Sequence, residues 1–180
     1  MIRAHKDSDW SADLAPEDIG YLSTRIQPAD WYPMATFERM GNAILRLVAN
    51  GNLDLVRMWG RFQVDQLRIL YPNLVADGDP VETLTRFRVL RATFFDFEAL
   101  EVPMLVDHEA QIIIRYRMGN MAEEAASFQT MGFFERLLEV AGAKNIVAAF
   151  TQRSWAGDAR TLLEIKWESG NASAPKRPRR

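Results

Sequence analysis

At roughly 100–200 residues per domain, the 180 residues of this chain allow one domain with short tails, and its 48% hydrophobic and 26% charged residues exclude collagen, coiled coil and wholesale disorder. The absence of cysteine removes disulfides, thiolate metal sites, iron–sulfur clusters and a cysteine nucleophile. Net charge is −2, and taking away the four positive charges of Lys176, Arg177, Arg179 and Arg180 at the extreme end leaves the body at −6, the wrong sign for a general nucleic-acid binder.

Residues 1–17 mix Asp, Ser, Ala and Pro without periodicity and read as a flexible leader. From Gly20 to Ile26 the alternation in GYLSTRI fits a short edge strand or extended arm, stopped by Pro28 and Pro33. A helix over about 33–49 sets Met34, Phe37, Met40, Ile44, Leu45 and Val48 on one stripe and stops at Asn50-Gly51. A second helix, about 53–70, carries Leu53, Val56, Trp59, Phe62, Val64, Leu67 and Leu70, and Tyr71-Pro72 ends it. A third spans about Pro80 to Arg91, with Asp79 as N-cap and Pro80 in the first turn.

Beyond Ala92 the chain turns β-branched and aromatic, which predicts strands at about 94–104 and 109–118 around Asp107-His108-Glu109. Pro103 marks the first as an edge or bulged strand. A long helix from Met121 to Gly142 holds the 3.6-residue period, and strands at 145–155 and 160–168 follow around Ala156-Gly157-Asp158. The sequence therefore predicts an α+β fold: a helical N-terminal half, then β-β-α-β-β forming an antiparallel four-stranded sheet. Residues 18–168 make the single domain, and 169–180 a basic low-complexity tail. No apolar run approaches the roughly 18 residues of a membrane span, and MIRAHKDSDW lacks a secretory apolar stretch, so the cytoplasm is the expected location.

Motifs for chemistry are sparse. No Gly-x-Ser-x-Gly elbow, phosphate-binding glycine loop or dinucleotide fingerprint occurs, and Asp107-His108-Glu109 reads as a solvated turn. Glu123-Glu124 sit where acidic residues complement the dipole of the long helix. Arg86-Phe87-Arg88 and Arg115-Tyr116-Arg117 interleave basic and aromatic residues, as a half-solvated surface does. No set of residues combines nucleophile, base and acid, so an enzyme is not expected. Aromatic residues are the richer signal: Trp59, Phe62, Phe87, Phe94, Phe95, Phe97, Phe128, Phe133, Phe134 and Trp167 supply either core or the lining of an apolar pocket.

The phrases WYPMATFERMGNAILRLV at 31–48, IIIRYRMGN at 112–120 and SWAGDARTLLEIKW at 154–167, with the long helix between the last two, resemble the haem–nitric-oxide/oxygen-binding (H-NOX) family. They also resemble its haem-free relatives, the 4-vinyl-reductase-like domains and TRAPP tethering subunits. The H-NOX resemblance implies a Tyr-x-Ser-x-Arg clamp on the haem propionates and a proximal histidine on the helix before the first hairpin. The clamp positions here are Tyr116, Met118 and Asn120, of which only the tyrosine matches, and residues 85–91 contain no histidine. His5 and His108 lie elsewhere in the sequence.

The expectation is thus a haem-free, non-catalytic regulatory or sensory binding module that mediates protein contacts and binds a small apolar ligand. No cofactor, metal site, transmembrane segment or specific nucleic acid is expected. Trp59, Phe62, Phe87, Arg115, Tyr116 and Phe128 are the candidate ligand-binding residues. The TRAPP resemblance implies a homodimer. Two alternatives stay open: a haem-based gas sensor with a non-standard site, and a structural scaffold protein.

Overall fold

The computed structural model describes residues 8–27 and 30–169. Expectations that fall on residues 1–7, 28–29 and 170–180, including His5 and the basic tail, lie outside the described residues. The main helices are α1 (Pro16–Ile19), α2 (Met34–Leu47), α3 (Leu53–Leu70), α4 (Pro80–Leu90) and α5 (Asn120–Val140), and the strands are β1 (Leu100–Val106), β2 (Glu109–Ile114), β3 (Ala143–Gln152) and β4 (Thr161–Ser169). The strands form one antiparallel sheet in the order β1-β2-β4-β3, with α5 crossing between the two hairpins. The architecture is the α+β class read from the sequence.

Local chemistry explains the boundaries. Asn52 caps α3 by accepting from Asp54 N at 2.9 Å and Leu55 N at 3.2 Å. Asn50 (φ 50°) and Gly51 (φ 75°) reverse the chain out of α2 just before it. Asp79 accepts from Glu82 N at 2.9 Å, with Pro80 opening α4. β1 lies at the sheet edge, and its register with β2 shifts between Glu101 and Met104, around Pro103. Arg88 of α4 and Arg91 just after it cover that edge: Arg88 donates to Val102 O at 2.6 Å and Arg91 to Leu100 O at 2.7 Å.

Four stretches depart from the sequence reading. Residues 8–17, read as part of the leader, pack down: Trp10 opens a short 3-10 turn, and both Trp10 and Leu14 are buried against Ala43 of α2. Asp18, fully buried, accepts from Ala15 N and from the Arg39 guanidinium, tying α1 to α2. Instead of a strand at 20–26, a 3-10 turn occupies Gly20–Leu22. Residues 94–99 do not join β1. Phe94, Phe95 and Phe97 sit on an irregular approach to the strand, packed against the main core. Likewise β2 stops at Ile114, and Arg117 (φ 60°) turns the chain toward α5.

The main core lies where the inner sheet face (Ile112, Ile114, Leu163, Ile165) meets α5 (Phe134, Leu137, Leu138) and α4 (Leu84, Phe87). The α3–α5 contact is unusually close: Gly60 faces the Gln129 carbonyl, and Gly132 faces that of Arg57. Alongside it, Arg57 binds Glu135 and Arg61 binds Glu139. Pair numbers rise together along both helices, so α3 and α5 run side by side in the same direction.

Candidate functional site

Where α3, α4, α5 and the 94–100 segment meet, packing is incomplete and leaves a cavity of about 380 Å³. This lies within the range of about 300–1,000 Å³ typical of small-molecule sites. Phe87, 1% exposed, forms its α4 wall, with Phe133 at 5.5 Å and Phe94 at 6.4 Å between ring centroids. Phe95 stacks obliquely on Tyr116 at 5.6 Å. Gln63, Gln66, Leu67 and Leu70 of α3, at helical spacings of three and four, complete the lining.

Among the described residues, the only ionisable side chain on this lining is Tyr116. Its hydroxyl is 2.6 Å from Thr130 Oγ1, and Thr130 in turn donates to Ala126 O at 2.9 Å. Burial pushes the Tyr116 phenol up to about 12, against the smaller lowering effect of the Thr130 hydrogen bond. The hydroxyl is thus neutral and already engaged, and the walls offer apolar contact with a few uncharged polar groups.

A second cavity of about 210 Å³ lies between α2, α3 and the start of α5, lined by Trp59, Leu45, Val56, Met118 and Glu38 among others. Phe37, Ala126 and Gln129 line both cavities, so the two adjoin at these residues.

Of the six candidate ligand-binding residues, the structure brings Phe87 and Tyr116 to the larger cavity and Trp59 to the smaller. The other three are placed elsewhere. Phe62 is 62% exposed on α3. Arg115 turns to Glu101, 2.7 Å away across the β1–β2 pair. Phe128 packs against Phe150 and Trp155 on the β3 side, at 5.4 and 6.4 Å. A helix places alternate aromatics on different faces, so aromatic type alone did not distinguish wall from core. The α3 lining at 63, 66, 67 and 70 was visible as a spacing, but its glutamines disguise it as solvated surface.

Arg86 and Arg88 are exposed on either side of the buried Phe87, and their guanidinium groups bond to Glu82 and to the carbonyls of Asn73 and Val102. Among the described residues no cluster of His, Cys, Asp or Glu is arranged to hold a metal ion. No helix among them is long and apolar enough to cross a membrane.

Neither a protein-family model nor a curated protein sequence matches the chain. Solved structures do. An unliganded Fe(II) H-NOX protein from K. algicida superposes with a TM-score of 0.62 at 14% identity, covering 93% of this chain and 92% of that one. A variant H-NOX protein from S. oneidensis in the Fe(II) state gives 0.60 at 11%, covering 83% and 81%. A variant of the T. tengcongensis H-NOX protein gives 0.58 at 14%, covering 93% of each. The fold is that of H-NOX domains.

Iron porphyrin is the group this H-NOX-like fold implies, and the side chains present do not fit it. In the span of α4 where the resemblance places an axial histidine, Phe87 points into the cavity. His108 sits in the β1–β2 turn, away from both cavities, its carbonyl accepting from Trp167 N. Among the described residues, neither cavity lining includes a basic side chain to balance propionates. At the clamp positions, Tyr116 is committed to Thr130, Met118 offers no polar hydrogen on its side chain, and Asn120 is exposed. The amides of Met118 and Gly119 donate instead to the chain's own Glu123 and Glu38, at 3.2 and 2.8 Å.

Proposed function

We propose that this protein is a non-catalytic, haem-free sensory or regulatory module that binds a small apolar molecule in the Phe87 cavity. The observation carrying this reading is a ligand-sized aromatic cavity whose only ionisable side chain is a buried, neutral tyrosine. Binding there would be driven by removing apolar surface from water, with Gln and Thr groups fixing orientation. Because the cavity joins α3, α4 and α5, an occupant would stiffen their mutual packing, and that is how ligand could be reported to a partner. A ligand that binds only the folded state raises the melting temperature in proportion to the logarithm of its concentration. Thermal melts with the neutral probe N-phenyl-1-naphthylamine test this. A concentration-dependent rise supports the reading, and no shift at saturating probe refutes it.

A second reading, a haem-based sensor with a non-standard site, is favoured by the structural likeness to Fe(II) H-NOX proteins. Incubation with haemin followed by gel filtration separates the two. A Soret band that co-elutes at one haem per chain selects the second reading. The proposed module also includes self-association, supported by Met58, Phe62 and Ile69, which lie exposed along one side of α3. A monomeric mass in solution at micromolar concentration would remove that component.

A further inference from the structure

The smaller cavity is largely apolar, and among the described residues Glu38 of α2 is the only charged one on its lining. Its carboxylate does not point at water alone: Gly119 N donates to Glu38 Oε1 at 2.8 Å. The preceding amide, Met118 N, donates to Glu123 Oε2 at 3.2 Å, and Glu123 is only 6% exposed. Arg117, at φ 60°, makes the turn that presents these successive N–H groups at the entrance to α5. Such a run of amides is an anion-binding geometry. Here the anions are supplied by the chain itself, one from each of two helices. Among the described residues neither carboxylate takes part in an ion pair, because Arg39 is engaged by Asp18 and Glu17, and Arg117 lies over the Phe97 ring. Arg39, which follows Glu38 and interacts with it electrostatically, is shared with Asp18 and Glu17, so the charge at this end of the cavity is net negative, in surroundings where low dielectric strengthens it.

We propose that Glu38, backed by Glu123 behind the amide turn, sets the charge specificity of the smaller cavity, which adjoins the Phe87 cavity at Phe37, Ala126 and Gln129, so that a molecule reaching from one into the other is taken when uncharged and rejected when it carries a carboxylate. Two features would otherwise favour an acid: a narrow apolar crevice leading to a turn of donor amides. Both amides are already occupied, and a third carboxylate would meet two others, with the adjacent Arg39 already engaged by Asp18 and Glu17. Glu38 and Glu123 are specificity-determining residues in this account, and neutralising them removes the repulsion that keeps an acid headgroup out.

This inference rests on the apolar-ligand reading, and the experiment separates the two. Decanol and decanoate share one chain length and differ in headgroup charge at neutral pH. Each is titrated against protein loaded with N-phenyl-1-naphthylamine, and displacement is read by fluorescence. In the wild type, decanol displaces the probe at least about tenfold better than decanoate. In Glu38→Gln, and more so in Glu38→Gln/Glu123→Gln, the gap closes through a gain for decanoate while decanol is unchanged. Glutamine keeps an acceptor oxygen toward the amide and removes only the charge, and the single variant serves if the double variant does not fold. Equal displacement by both compounds in the wild type, or an unchanged gap in folded variants, overturns the charge inference and leaves the cavity reading standing. Failure of the probe to bind at all removes both.

Discussion

Two glycines show how a single hydrogen atom positions this site. A Cβ on Gly132 would fall 1.8 Å from the Arg57 carbonyl oxygen, and one on Gly60 would fall 1.8 Å from that of Gln129. Those atoms belong to the backbone of a facing helix, so neither can swing aside, and α3 would have to move as a body. Overpacking typically costs about 1–3 kcal/mol, occasionally more, and this case belongs at the upper end. Gly132→Ala is expected to lose about 3 kcal/mol or more in urea denaturation. Gly41→Ala, where nothing lies within 4 Å of the new atom inside α2, is expected to gain about 0.5–1 kcal/mol from helix propensity. Equal effects at the two positions would refute the close-approach account. At the same scale, Tyr116 makes a spectroscopic prediction. Its folded value near 12 lies above the ordinary 10, so the stability it contributes is full below pH 10 and lost as pH rises through 12. Of the four tyrosines, one should therefore be missing from the phenolate absorbance of the native protein at pH 11 and appear on unfolding.

Elements differ in how openly the sequence displays them. The bounds of α3 follow directly from an asparagine cap, an uninterrupted apolar period and Tyr71-Pro72. Asp79-Pro80 announces α4 in the same way. The strap at residues 8–22 has no period to read, because each of its short turns contributes one anchor rather than a face. Its signals were local: Asp9 accepting from Ser11 N, and Pro16 followed by acidic residues at a helix start. Phe94, Phe95 and Phe97 imitate a strand because aromatic enrichment marks strand and cavity wall alike. The site was legible as an aromatic excess, and its exact walls were not, since they depend on how α3 lies on α5. The strap itself is held by Asp18, whose carboxyl the Arg39 hydrogen bond keeps well below its ordinary 3.8. Lowered in the folded state, it contributes stability that is present above that ordinary value and lost as pH falls toward the folded one. Asp18→Asn is expected to loosen the strap at neutral pH, raising Trp10 fluorescence quenching by acrylamide, and to remove part of the acid sensitivity seen in the wild type below pH 4. Glu123 runs the other way, since burial raises its carboxyl and acid relieves that cost. An acid profile identical in Asp18→Asn and wild type would show that the pair does not hold the strap.

At the scale of the whole molecule, the two cavities and the β3–β4 hairpin occupy different sides of α5. The Phe87 and Glu38 cavities lie toward α2, α3 and α4, whereas Phe128 of α5 meets β3 and the Ser154–Ala156 turn through Phe150 and Trp155. The β3–β4 hairpin contributes no residue to either lining. Local stability in a folded protein follows local packing, and filling a void stiffens the elements that wall it before those that do not. Hydrogen exchange with and without bound N-phenyl-1-naphthylamine should therefore slow at residues 63–70 of α3 and across 94–100. The central strands β2 and β4, held from both sides by ladder bonds, exchange slowly in either state and should change little. Phe37 sits where the cavities adjoin and is 44% exposed, so protection near α2 would show that occupancy of the larger cavity is felt at the smaller. Protection confined to the β3–β4 hairpin would place the probe on the sheet rather than in the helical half, and would overturn the assignment of the site.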